Sequence, residues 1–423
     1  MKLHEFTPVV SLDSSEERNP PKREDARTRP WLHDHGLLRR RMKLNVLMFT
    51  MSRRAEWLAG TVNRNRQIAA ELEKDPAIGR IVYVDLLPHS WKRAAKIYFQ
   101  DFITKPKGRI IGQTVGTRLT EVQPGKIFHV VSFEPIVSET QFLRSLAALL
   151  RKIDFRPDIL WSYLPTYVQC FTKIDAQTKV FDAVDDWSAH PAYKQWKKRL
   201  KKNYQFLNNR ADVVFTVSKE LLSLFPHHRY VHWVPNGADI EHFSASVQMN
   251  GTQKHSKPTI VYVGIIQERV DLGLIAWLAR QRPQYDFVIA GPVWKGIDVS
   301  TLHALPNVRM PGAVAYDELP ELLARCSVGI VPHKADGLVR SMNPMKIYDY
   351  LSAGLPVVAT QAPGFEAFQS GMKVVASRDT FLTAVDEWVA HPPSTDSLRT
   401  LVAPHSWHAR YKAMSDVIDG FSR

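Results

Sequence analysis

SMNPMKIYDYLSAGLPVVAT, residues 341–360, reads as one complete α/β unit. Asn343 is a favoured N-cap and Pro344 suits a first helical position, where no backbone donor is needed. The helix is expected to run through Ala353 and to stop at Gly354, with Pro356 barring its continuation. Ile347 and Leu351, four apart, then face a sheet, while Lys346 and Asp349 share another face. PVVAT supplies the following strand. The unpaired N–H groups and dipole of a helix N-terminus, with a first-turn lysine, suit a phosphate, and a carboxylate one turn deeper suits sugar hydroxyls. The plainer alternative is a capped core helix with a surface Lys–Asp pair, and spacing alone leaves both open.

The same texture extends in both directions. LNVLMFT (44–50), RIVYVDL (80–86), KIFHVVS (126–132), DILWSYL (158–164), KVFDAVD (179–185) and VVFTVS (213–218) read as buried strands separated by helices. After VPNGADIEHF (234–243) and the polar MNGTQKHSKP (249–258), a second series begins. It comprises TIVYVG (259–264), YDFVIAG (285–291), SVGIVPH (327–333), PVVAT (356–360) and MKVVAS (372–377). Near-continuous apolar strands alternating with helices indicate parallel sheets covered on both faces. The fold class is therefore α/β, with two Rossmann-like parallel-sheet domains facing across a cleft. The expected divisions are a mobile tail (1–42), an N-terminal domain (43–233), a linker (234–257), a C-terminal domain (258–404) and a final helix (405–423) packing back toward the first domain.

A chain of 423 residues suits two domains, and 44% hydrophobic with 23% charged residues is an ordinary globular balance. The formal net charge of +14 points to an anionic partner. Cys170 and Cys326, far apart in apolar company, exclude a disulfide framework and read as core residues of a reducing compartment. With no signal-peptide pattern and no membrane-spanning run, a cytoplasmic location is expected. His227, His228 and His232 lack acidic or cysteine partners, so no metal site is expected there. No GxGxxG loop, Walker loop or GxSxG elbow occurs.

The 341–360 segment resembles the nucleotide-sugar motif of GT-B glycosyltransferases, especially family 4 and teichuronic-acid-type enzymes. There an Asn-Pro-x-Lys helix with an acidic residue leads into a Gly-x-Pro-Val-Val strand. VYVGIIQERVDLGLIAWLA (261–279), FVIAGPV (287–293), LPNVRMPGAVAYDELPELLARCSVGIVPH (305–333) and HSWHARYKAMSDVI (405–418) follow in the expected order. VFDAVDDW (180–187) and ADVVFTVSKEL…VPNGAD (211–239) fit the N-terminal half.

The resemblance implies donor-binding roles for Gly264, Arg269, His333, Asn343, Met345, Lys346 and Asp349. Arg269 and Lys346 are expected to hold the diphosphate, Asp349 the ribose, and Gly264 to admit the ligand close to the backbone. For Arg269 the alternative is an ion pair with Glu268 or Asp271; for His333 it is a core or capping histidine. Many retaining relatives carry two glutamates in this motif. Asp349 takes the place of the second, but Ser341 stands at the first, so stereochemistry stays undecided. SMNPMKIYDY is also similar to xanthan-type glucuronosyltransferases, which invert.

Asp185 and Asp186 follow a predicted strand and are candidates for the base that takes an acceptor proton. The alternative has Asp186 capping the next helix. Asp182 is expected inside the sheet. Two basic stretches, 91–109 and 193–207, place aromatic stripes beside lysines and arginines. Each suits either an anionic membrane surface or a helix packed on its own sheet.

The expectation is thus a metal-independent hexosyl- or uronosyltransferase without a cofactor. It uses a UDP- or GDP-sugar and a glycan or polyprenyl-linked acceptor of bacterial surface polysaccharide synthesis. It sits in the cytoplasm or peripherally on the inner membrane. The rivals are a nucleotide-sugar epimerase on the same fold and a basic nucleic-acid-binding protein; no nucleic-acid module is visible.

Overall fold

The computed structural model describes residues 43–103, 108–249, 257–334, 339, 341–360 and 363–421. The expected tail (1–42), residues 104–107 of the first basic stretch and residues 250–256 of the expected linker lie outside them.

The N-terminal sheet has nine strands: β1 (Leu44–Phe49), β2 (Ile78–Val84), β3 (Arg109–Gln113), β4 (Thr117–Gln123), β5 (Ile127–Ser132), β6 (Ile159–Ser162), β7 (Thr178–Ala183), β8 (Val213–Thr216) and β9 (Val231–Trp233). Their order is β3-β4-β5-β2-β1-β6-β7-β8-β9. All neighbours are parallel except the β3-β4-β5 meander. The C-terminal sheet has six: β10 (Thr259–Val263), β11 (Asp286–Ala290), β12 (Val308–Gly312), β13 (Val328–Val331), β14 (Val357–Ala359) and β15 (Met372–Val374). Its order is β12-β11-β10-β13-β14-β15, parallel throughout. Central strands are buried on both faces, as in β13 with Val328, Ile330 and Val331 at 0% exposure. That double burial is why these strands read as unbroken apolar runs.

Two divisions differ from expectation. The segment expected as linker contains a helix, Ile240–Met249, and Phe243 within it is buried in the core under the second sheet. The first crossing between the domains is therefore confined to residues 234–239. The C-terminal helix Trp407–Phe421 buries Trp407, Tyr411, Met414 and Ile418 in the core of the N-terminal domain, so the chain returns to the first domain.

The two basic stretches take different forms. In helix Lys197–Arg210, Leu200, Tyr204 and Leu207 are buried against the sheet, leaving Lys197, Lys198, Lys201 and Lys202 exposed. That is the sheet-packed alternative. Helix Trp91–Ile97, continued by a π-helix over Tyr98–Ile103, buries Ala94 and Ile97 rather than the expected stripe. Trp91 is 68%, Phe99 62% and Ile103 60% exposed. Cys170 and Cys326 are buried core thiols, pushed up in pKa by desolvation.

Candidate functional site

In a parallel sheet, ligands meet the carboxyl ends of the strands where the strand order reverses. In the second sheet that point lies between β10 and β13. Gly264 follows β10 and His333 follows β13, and helix Met345–Ser352 begins nearby. Gly264 has φ +142°, and a Cβ there would lie 3.1 Å from Lys346 Cε and Nζ. A side chain at 264 would therefore displace the lysine.

Lys346 lies over the Tyr262 ring, with Nζ 4.7 Å from the centroid and 3.5 Å from the phenol oxygen. Burial and the nearby Arg269 guanidinium lower its pKa to about 7, against an opposing pull from Asp349. Arg269 Nη1 lies 3.3 Å from Met342 Sδ, and its Nη2 and Nε donate to the Gln267 amide oxygen at 2.8 and 3.2 Å. The expected rival partners do not take it up. Asp271 caps helix Leu272–Gln281, accepting from Leu274 N at 2.9 Å, and Glu268 is exposed. Among the described residues, neither Lys346 nor Arg269 forms an ion pair.

His333 is 2% exposed, and neither ring nitrogen has a hydrogen-bond partner. Burial, then Lys346 and Arg269, lower its pKa to about 2, so it is neutral. Two basic groups outside any ion pair among the described residues thus lie beside an unpartnered imidazole, with Asp349 and Asp185 acting on them only from a distance.

Asp349, one turn into the helix, has its pKa raised to about 8 by burial and by Asp239, opposed by Lys346. Asp239 belongs to a group absent from the sequence reading. Gln67 Nε2 and Tyr316 OH both donate to its Oδ2 at 3.2 Å, and His242 stacks on Tyr316 at 4.1 Å. Gln67 comes from the first domain and Tyr316 from the second, so only the tertiary fold joins them. A cavity of about 790 Å³ opens at this seam, lined by Trp57, Gln67, Asp239, Tyr316, Trp407 and His408. None of the residues singled out in the sequence lines it.

Asn343 does not cap the helix. Pro344 has φ −64° but ψ 114°, so the helix starts at Met345 and no side chain caps its first turn. Asn343 Oδ1 instead accepts from Asn236 N (2.8 Å) and Tyr348 OH (3.2 Å), and its carbonyl accepts from Asn236 Nδ2 at 2.7 Å. Met345 turns partly into the N-terminal core. Ile347 and Leu351 are buried at 0% exposure, facing the sheet as expected.

In the N-terminal domain, Asp186 Oδ1 accepts from Ser188 N (2.8 Å) and Ser188 Oγ (2.7 Å), closing a local turn at 187–189 rather than capping a helix. Asp185 differs. Burial raises its pKa to about 6, while Arg269 pulls it down, so a first-domain carboxylate faces a second-domain cation. Asp182 lies within β7 at 0% exposure, ion-paired to Arg64 at 2.8 Å. Among the described residues no three His, Cys, Asp or Glu side chains converge as metal ligands.

Two parallel-sheet domains, opposed at the carboxyl ends of their strands with the last helix returned to the first, define a GT-B fold. Residues 257–391, which span the C-terminal sheet, match the family described as Glycosyl transferases group 1. A putative teichuronic acid biosynthesis glycosyltransferase, TuaH of Bacillus subtilis, is 27% identical over 227 residues. That alignment covers 50% of this chain and 57% of the relative's length. Sucrose-phosphate synthase from Thermosynechococcus elongatus superposes with TM-score 0.63 at 13% identity, over 89% of this chain and 99% of that one. Anabaena Alr3699/HepE, solved in complex with UDP and glucose, superposes with TM-score 0.58 at 12% identity, over 89% and 99%. An α,α-trehalose-phosphate synthase (UDP-forming) from Burkholderia vietnamiensis superposes with TM-score 0.63 at 9% identity, over 90% and 99%. The structural likenesses are likenesses of fold.

Proposed function

We propose that this chain is a glycosyltransferase of polysaccharide synthesis, moving a sugar from a UDP- or GDP-linked donor to a glycan or lipid-linked acceptor. The observation that carries this reading is the Lys346–Arg269 pair, two basic groups in no ion pair among the described residues, beside the orphaned His333 and an uncapped helix start. A diphosphate supplies the missing charge and accepts from the free amides and the guanidinium.

Asp349 takes the ribose hydroxyls. As the bond from sugar to diphosphate breaks, negative charge grows on the leaving oxygen, where Lys346 and Arg269 already stand; that placement lowers the barrier. These cations and amides do the work a metal ion does elsewhere, and the reaction uses no cofactor. Asp185, reaching the cleft from the first domain, takes the acceptor hydroxyl's proton in an inverting displacement. Ser341 offers no carboxylate for the alternative. Exposed Trp91, Phe99 and Ile103 beside Lys92 and Lys96 fit an enzyme held at an anionic cytoplasmic membrane face, where a polyprenyl-linked acceptor resides.

Titration calorimetry with UDP, GDP and their sugars tests the reading. Binding of one of them is expected, about tenfold weaker in Lys346→Ala, with the melting transition retained; a charged contact of about 1–2 kcal/mol sets that scale. Folded protein that binds neither nucleotide overturns it.

A further inference from the structure

Asn343 is the best capping residue available to helix Met345–Ser352, and it does not cap. For it to do so, Pro344 must adopt helical ψ, and Asn343 Oδ1 must reach the amide two or three residues on. Those amides belong to Met345 and Lys346, the same donors that meet the diphosphate in the reading above, on which this inference rests. Pro344 at ψ 114° stands outside that geometry.

What holds it there comes from the segment that crosses between the domains. Asn236 binds Asn343 at two points, N to Oδ1 at 2.8 Å and Nδ2 to the carbonyl at 2.7 Å. Both residues are buried, at 7% and 5% exposure. Asn236 is itself fixed from two sides. Arg64 Nη1 donates to Pro235 O (3.2 Å) and Asn236 Oδ1 (3.4 Å), and Arg410 Nε donates to Asn236 O at 3.1 Å. Arg64 is anchored in turn by Asp182. Tyr348 OH occupies Asn343 Oδ1 from within the helix. The unpartnered His333, with Lys346 and Arg269 as its nearest charges, independently marks this end of the helix as awaiting a ligand.

We infer that Asn236 is a positioning residue: it holds the Asn343 side chain away from the first turn, keeping the Met345 and Lys346 amides open to the donor diphosphate. A side chain that caps the helix competes with the ligand for those amides. The crossing segment, in register only when Arg64 and Arg410 grip it, thereby couples domain arrangement to donor affinity.

The test compares two substitutions at one position. Asn343→Ser is too short to reach Asn236 but is a strong cap; Asn343→Ala loses the same contacts and cannot cap. Calorimetry reads the ratio of UDP to uridine affinity, and of GDP to guanosine affinity. Asn343→Ser is expected to lower the diphosphate preference about fivefold to tenfold, with nucleoside affinity unchanged. Asn343→Ala is expected to keep it within about twofold of wild type. A merely structural role weakens both variants alike, so equal losses overturn the inference. If either variant fails to fold, Asn236→Pro, which removes both the N–H that holds Asn343 Oδ1 and the amide on its carbonyl, is expected to lower the same ratio, and an unchanged ratio overturns the inference. Wild-type protein binding neither nucleotide overturns both this and the donor reading; wild-type preference with Ser and Ala equivalent overturns this alone.

Discussion

Lys346 and Asp349 are one turn apart on a helix, yet their environments move them in opposite directions. Burial and Arg269 lower Lys346 to about 7, so raising the pH through neutrality removes the ammonium from the free site. A bound diphosphate restores that proton. Nucleotide affinity is therefore expected to fall as pH rises above about 7. Calorimetry at pH 8 in buffers of different ionisation enthalpy should then show proton uptake on binding; its absence assigns the phosphate to Arg269 and the amides instead. For Asp349 the folded pKa of about 8 lies above that of the unfolded chain. The unfolded state ionises first as pH rises from about 4, so stability falls across the window up to about 8 and levels beyond it. Asp349→Asn removes that penalty. Its melting temperature should equal wild type near pH 4 and exceed it by about 2–4 °C at pH 8, read by scanning calorimetry. If Asp185, at about 6, is the proposed base, turnover should decline below pH 6 in wild type, and Asp185→Asn should be slow at every pH, read from pH–rate profiles of both proteins.

At the scale of elements, the two basic stretches separate. Helix Lys197–Arg210 satisfies its apolar stripe internally, so its lysines offer charge alone. Helix Trp91–Ile97 with its π-helical extension leaves large apolar side chains in water. Membrane contact should therefore depend on the second of these first. Trp91→Ser with Phe99→Ser is expected to reduce co-sedimentation with anionic phosphatidylglycerol vesicles severalfold while nucleotide affinity is unchanged. Equal sedimentation of variant and wild type assigns this face to another role. The contrast shows where the sequence was legible. Apolar runs located the buried parallel strands within a few residues because both faces of each are covered. The β3–β4 hairpin, β9 and β12 went unread: RIIGQ and TRLTEVQ are half polar, and neither β9 nor β12 has a fully buried member. Over 91–103 Ala94 and Ile97 face inward while Trp91, Ala95 and Tyr98 stay exposed, so of the two alternatives for that stripe it is the sheet-packed one that fails. At the site, motif and chemistry singled out Gly264, Arg269 and Lys346, and the fold brings the three together. Asn343 was misread as a cap because its true partner, Asn236, is 107 residues away in sequence. The Gln67–Asp239–Tyr316 group was invisible for the same reason.

The last helix, Trp407–Phe421, ties the far end of the described residues back to the first sheet. Trp407, Tyr411, Met414 and Ile418 complete the first domain's core, and Arg64 Nη2 lies 3.7 Å from Met414 Sδ. Tyr411 OH donates to Asp75 Oδ2 at 2.6 Å, binding the last helix to the end of helix Arg64–Lys74. Removing residues 407–423 uncovers that apolar face and strips one side from the buried Arg64–Asp182 pair, while the second sheet keeps both of its own helical layers. Losing part of a shared core and exposing a buried ion pair to water loosens the domain that owns them. Hydrogen exchange on the truncated chain should accordingly rise in helix Arg64–Lys74 and strand β8, with β10 and β13 still protected. Uniform loss of protection across both sheets would make the two domains a single cooperative unit. Unchanged protection in the first would show that the helix covers a core already closed without it. The selective outcome is expected because the crossing at 234–239 is short and each sheet has its own buried core. In that case the final helix, gripping the crossing segment through Arg410, sets the first domain's stability and the donor helix's register together.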